Sequence, residues 1–114
     1  MKHILLALCL GVSPAAAQDY DASADNHLAA CKDIAENPDN QTTPAHKRTF
    51  CYATYLAILH FELGRKVCPP PDQNSSQHLR VLVQNMERRP RDLHYLLVRL
   101  MEEAFREEYP CRTR

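Results

Sequence analysis

Glycine is nearly absent from this sequence: Gly11 and Gly64 are the two in 114 residues, where an ordinary chain carries about 7%. So small a supply excludes glycine-rich phosphate loops and argues against β folds built on many tight turns. An excess of one charge is missing too, since 14 Lys and Arg stand against 14 Asp and Glu. A balanced chain has no electrostatic reason to bind nucleic acid or an anionic membrane. No apolar run reaches the roughly 20 residues that cross a bilayer. The cysteines form no CxxC, and neither GxSxG nor HExxH occurs, which removes the usual marks of a zinc site or a hydrolase. The histidines beyond the first stretch, His27, His46, His60, His78 and His94, are nowhere spaced i, i+4. They read as surface or satisfied core residues. The expectation is a protein that is not an enzyme, with no catalytic residue, no metal and no cofactor.

What is present begins with an address. Lys2 and His3 precede an apolar stretch, Ile4 to Val12, and Ala15-Ala16-Ala17 supplies a small-residue cleavage pattern. That order predicts a signal peptide over residues 1–17 and a mature chain from Gln18 that lives outside the cytoplasm. Cys9 leaves with the signal. Four cysteines remain, Cys31, Cys51, Cys68 and Cys111. In a small exported chain they read as two disulfides, with three pairings open at this point.

The rest is helical. Leu28, Cys31, Ile34 and Ala35 recur at helical spacing, predicting a helix over about 24 to 36 that ends at Asn37-Pro38. Thr43 offers an N-cap hydroxyl and Pro44 a first helical position for a second helix, to Leu63. Its Phe50, Ala53, Ala57 and Phe61 form one apolar stripe, and Cys51, Tyr55, Ile58 and Leu59 another. After its first turn and a half, Glu62 is the only charge before Arg65. A helix this apolar is expected in the middle of a bundle, with Gly64 as its left-handed stop. Val67-Cys68-Pro69-Pro70-Pro71 is a stiff linker. Asn74, Ser75 and Ser76 can cap a third helix carrying Leu79, Leu82, Val83 and Met86. Pro90 breaks it. Asp92 is expected to cap a fourth helix, with Leu93, Leu96, Leu97, Leu100 and Ala104 buried and Glu102, Glu103, Arg106 and Glu107 opposite. The fold class expected is all-α: a small four-helix bundle with two disulfides, filling residues 18–114.

Phe50-Cys51-Tyr52 on a helix, then Cys68-Pro69-Pro70, then a helix ending near Arg89-Pro90, then a helix closed by Tyr109-Pro110-Cys111, together resemble the Rap/Tai immunity proteins. The resemblance covers residues 28–111. It implies a small periplasmic helical protein that binds and occludes a peptidoglycan amidase effector of a type VI secretion system. The partner it implies is therefore a protein, with no membrane attachment after signal cleavage, and a homodimer is compatible with the scaffold. A periplasmic binding or stress protein of chaperone type is the alternative, and a eukaryotic secreted helical factor a third class. Antiparallel first and second helices place Cys31 beside Cys51, and a fourth helix returning to the start of the third places Cys111 beside Cys68. For the partner surface, the tight turn Arg88, Arg89, Pro90 and Arg91 is the preferred candidate over the Pro69–Asn74 loop. Proline stiffens it, little ordering entropy is lost on docking, and guanidinium groups can donate to carboxylates and carbonyls.

Overall fold

The structure is a computed structural model, described here for residues 20–112. The expected signal peptide, its cleavage point and Cys9 lie outside those residues. Four helices make the fold: α1 (Ala24–Glu36), α2 (Ala45–Glu62), α3 (Ser75–Glu87) and α4 (Leu97–Glu108). A single 3-10 turn, Pro90–Asp92, separates the last two. No strand occurs among the described residues, only isolated bridges such as Ser23 to Leu96 and Val67 to Pro110. The all-α bundle expected from the sequence is what is seen.

Local chemistry sets most of the helix ends. Ser23 caps α1, its hydroxyl accepting from Asn26 N–H. Asn74 caps α3 in a reciprocal capping box with Gln77. Gly64 follows α2 with φ +79°, the left-handed geometry that a side chain disfavours. Three expectations are corrected. Thr43 does not cap α2: its hydroxyl donates to Asp33 at 2.6 Å, and Pro44 holds the N-cap position without a side-chain bond. Asp92 does not cap α4, which starts five residues later, at Leu97, so Leu96 is exposed and Leu93 only partly covered. The orphan donors there are met by backbone instead, Leu97 N–H donating to Ala22 C=O. In return Ala24 and Asp25 of α1 donate to the carbonyls of Tyr95 and Leu93, each at 2.8 Å. The amino ends of two helices thus satisfy each other across 70 residues of sequence.

The third correction concerns α2. It is not central. Its Cys51, Tyr55, Ile58 and Glu62 are buried, but Tyr52, Ala53, Leu56, Ala57 and Phe61 face outward. The helices that touch all the others are α1 and α4. The core is built on Leu79, Leu82 and Met86 of α3 and Leu97, Leu100, Met101 and Phe105 of α4, all essentially inaccessible. Two disulfides close it: Cys31–Cys51 with Cα atoms 5.7 Å apart, and Cys68–Cys111 at 4.9 Å. Both pairings are those the helix order predicts. The first bridge is buried at both ends, whereas Cys68 is exposed.

Candidate functional site

Two surfaces carry side chains the fold does not consume. The first is the turn between α3 and α4. α3 ends at Glu87, and Pro90 then fixes the backbone of the 3-10 turn. Arg89 points back into the bundle. Its Nε donates to Asp92 at 3.0 Å and its terminal nitrogens to Glu103 at 2.8 Å and Asn85 at 3.5 Å. The hydrogen bond from Arg89 comes first among the causes that lower the Glu103 pKa. Arg88 pairs with Glu108 at 3.0 Å across exposed surface, an attachment worth about 0–1 kcal/mol. Arg91 is exposed and has no ion-pair partner among the described residues. With Pro90, Leu93 and His94 it borders a shallow groove whose far wall is Ser23, the cap of α1, and Asp25 in its first turn. The four residues expected at the partner surface are therefore adjacent but unequal. Arg89 and Pro90 shape the turn, Arg88 is tethered, and Arg91 is available.

The second surface is the outer face of α2, which sequence reasoning placed inside. Tyr52 is 39% exposed, Leu56 48% and Phe61 68%. Between Thr49 and Phe61 there is no Lys, Arg, Asp or Glu. Two shallow grooves flank a ridge formed by Thr49 and Ala53, one walled by Tyr20, His46 and Phe50, the other by Ile34, Tyr52 and Leu56. The available signal was the same run of uncharged residues. It says that α2 is apolar, not which half of it the bundle covers.

The remaining polar groups do structural work. Asp33 is buried under the α1–α2 connection, accepting from Thr42 N–H, Thr43 N–H, the Thr43 hydroxyl and the Asn37 amide. Those donors, the Thr43 hydroxyl first, hold its carboxyl down at about 2. His27 is fully buried: Nδ1 must donate to the Ser23 carbonyl at 2.9 Å, which leaves Nε2 to accept from Tyr20 at 2.8 Å. His78 bonds Tyr55 at 2.7 Å through Nδ1, its Nε2 has no partner, and burial lowers its pKa. Glu62, also buried, takes a forked ion pair from Arg106 of α4, whose hydrogen bond is the main cause lowering its pKa. No group of three His, Cys, Asp or Glu side chains positioned to hold a metal ion occurs among the described residues. No described helix is long and apolar enough to cross a membrane.

Family membership follows from one comparison. The model of the Rap1a immunity proteins matches residues 5–111. The chain belongs to that family. Almost the whole chain is covered, including all four bundle helices and both disulfides. No curated protein and no solved structure matches. An immunity protein works on another protein, so membership assigns a protein partner and directs attention to surface rather than to a catalytic centre. The two disulfides fit an extracytoplasmic place of work.

Proposed function

We propose that this protein is a periplasmic immunity protein that binds a peptidoglycan amidase effector and occludes its active-site cleft. Membership of the Rap1a immunity proteins carries the reading. The signal-like amino terminus and the two disulfides support the compartment. Neutralisation needs no chemistry by the inhibitor; it needs a shape that fills the cleft and excludes substrate and water. The turn Arg88–Arg91 suits that task. Pro90 and the Arg89 ion pairs to Asp92 and Glu103 hold it before any partner arrives, so docking costs little ordering entropy. Arg91 then presents five N–H donors to carbonyls or carboxylates at the mouth of the cleft.

The test is co-expression in the periplasm with a candidate amidase encoded beside it, read as protection from lysis. Wild type should protect. Arg91→Glu should protect poorly with its thermal midpoint unchanged, because Arg91 supports nothing in the fold. Arg89→Glu should lose protection and stability together, since it would set a third carboxylate against Asp92 and Glu103. Full protection by Arg91→Glu would remove the turn from the interface. Failure of the wild type to bind any neighbouring amidase would favour a periplasmic binding or stress protein.

A further inference from the structure

Two histidines are buried in the bundle, and they are not equally served. His27 has a partner at each ring nitrogen, the Ser23 carbonyl and the Tyr20 hydroxyl. His78, 7% exposed, has one, the Tyr55 hydroxyl at Nδ1. Its Nε2 is the single buried side-chain nitrogen or oxygen without a hydrogen-bond partner among the described residues. Native cores rarely keep such an atom without a reason.

His78 stands in the first turn of α3, at the end of the bundle closed by Cys68–Cys111. Aromatic rings box it in: Tyr55 of α2 at 5.8 Å and Tyr109 after α4 at 5.5 Å, with Phe105 about 6 Å from each of those two. Burial pushes the ionisation of Tyr55 up to about 12, so its hydroxyl keeps its proton and donates it to Nδ1. The ring proton of His78 then sits on Nε2. Tyr109 donates to the Gln73 side chain of the linker at 2.7 Å, and its carbonyl accepts from Cys68 N–H at 2.7 Å. One cluster therefore fastens α2, α3, the end of α4 and the proline linker together.

We propose that His78 is an acid-operated latch: its protonation opens this end of the bundle, freeing Tyr109 and the Pro69–Gln73 linker while the Cys68–Cys111 bridge keeps the parts attached. A second ring proton must go to Nδ1, the atom that accepts from Tyr55. That bond then breaks or reverses, and the reversed hydroxyl leaves its own hydrogen without an acceptor. The cation would also stand alone. The polar groups facing it are Tyr55 from α2, Tyr109 from the end of α4 and, through Tyr109, Gln73 from the linker; none is a carboxylate. Burial is the single cause that lowers the His78 pKa, so no Asp or Glu of any packed element offsets the charge. Glu108 acts on Tyr109 and is tied to Arg88 at 3.0 Å. An unpaired charge is not kept in an apolar interior, and this one reaches water by opening the box.

The direction follows from linkage. The closed form takes the proton only below the ordinary 6.5 of histidine, and the open form takes it there. The closed form is therefore fully favoured above pH 6.5 and loses ground as pH falls below it. One proton raises the opening constant by at most tenfold per pH unit. The far end of the bundle should not follow. Arg88 lies ten residues further along α3, about 15 Å at 1.5 Å per residue, and the turn beyond it is held by Arg89 on Asp92 and Glu103. Opening is thus local, of the kind that hydrogen exchange resolves.

The experiment is amide hydrogen exchange of the oxidised mature chain from pH 7 to pH 4.5, corrected for intrinsic rate, with the His78 ring followed by NMR in the same samples. In wild type, the Cys68, His78 and Tyr109 amides should lose up to tenfold in protection per pH unit below 6.5, and the ring should take up its proton in step with them. The Ala24, Asp25 and Leu97 amides, bonded at the other end, should keep theirs. His78→Asn places an amide oxygen near the Nδ1 position, where it can accept from Tyr55, and cannot become a cation. Protection of the same three amides in that variant should be flat across the range, whatever its level at pH 7. A His78 ring that charges while those amides stay protected would overturn the proposal. So would protection unchanged down to pH 4.5, an equal loss in His78→Asn, or simultaneous loss at both ends.

Discussion

Helices α2 and α4 are both rich in apolar residues, and the bundle treats them oppositely. On α4 the residues are sorted: Leu97, Leu100, Met101, Ala104 and Phe105 are buried, while Arg99, Glu102, Glu103, Arg106 and Glu107 look outward or sideways into ion pairs. On α2 they are not sorted. Cys51, Tyr55 and Ile58 are buried, yet an equally apolar half is left in solvent. A helix that is amphipathic reports its own orientation; one that is apolar all round reports only that more than one side is to be covered. The bundle covers one side of α2. The other leaves Tyr52, Leu56 and Phe61 exposed.

The two helices are also held differently, and reduction should separate them by the largest margin. α4 is fixed by large buried side chains, whereas α2 is attached through Cys31–Cys51, the Asp33 loop and the Glu62–Arg106 pair. Closing loops of 20 and 43 residues stabilises by about 3 to 4 kcal/mol for each bridge in the entropy model. Adding reductant should therefore lower the thermal midpoint sharply. It should do so in two stages. Cys68, being exposed, admits thiolate attack before the buried Cys31–Cys51 bridge does. Equal midpoints with and without reductant would contradict a structural role for the cysteines. Loss of the buried bridge first would contradict the burial pattern.

Next in size is a matched pair of truncations. Leu100→Ala on α4 removes a fully buried side chain and should cost about 2–5 kcal/mol in denaturant unfolding. Leu56→Ala on α2, measured in dilute solution, should stay within about 0.5 kcal/mol. Similar costs for both would mean that α2 is packed as deeply as α4.

The smallest effect expected is on pH dependence. Asp33 holds the start of α2 to the end of α1, and its carboxyl titrates at about 2 rather than near its ordinary 3.8. A depressed carboxyl contributes stability that is fully present above the ordinary value and is lost as pH falls from about 4 through about 2. Asp33→Asn should thus lower the midpoint at neutral pH, and the gap from wild type should close on acidification across that window. A gap that stays constant from pH 7 to pH 2 would mean that the ionised carboxylate is not what the Thr42–Thr43 donors recognise.

How much of this was legible in the sequence follows the range of the interactions. The Gly64 stop and the proline breaks depend on residues within a few positions and could be read directly, and the α3 cap was narrowed to Asn74, Ser75 and Ser76, of which Asn74 is the one. The disulfide pairing depends only on helix order and antiparallel packing, and it too was legible. The start of α4 was not. Leu93 and Leu96 continue the apolar period, but the Leu97 N–H that opens α4 donates to the Ala22 carbonyl, and the carbonyls of Leu93 and Tyr95 accept from α1. Nothing near Asp92 announces a partner 70 residues away. Thr43 looked like a cap for the helix after it, whereas Asp33, ten residues before it, takes its hydroxyl. The turn Arg88–Arg91 was legible as a turn. That Arg89 is bound inward and Arg91 is available depends on Glu103, a full helix turn and more into α4. The outer face of α2 was legible in composition and hidden in orientation.

Arg91 is exposed and without an ion-pair partner among the described residues, and the effector is expected to dock there and not on the outer face of α2. Binding of an amidase effector by the oxidised mature chain, measured by calorimetry for wild type, Arg91→Glu and Ala53→Asp, tests that division most directly. Wild type and Ala53→Asp should bind with comparable affinity per chain, and Arg91→Glu should bind at least tenfold more weakly while retaining its fold. Loss of binding in Ala53→Asp with full binding in Arg91→Glu would reverse the assignment and contradict it.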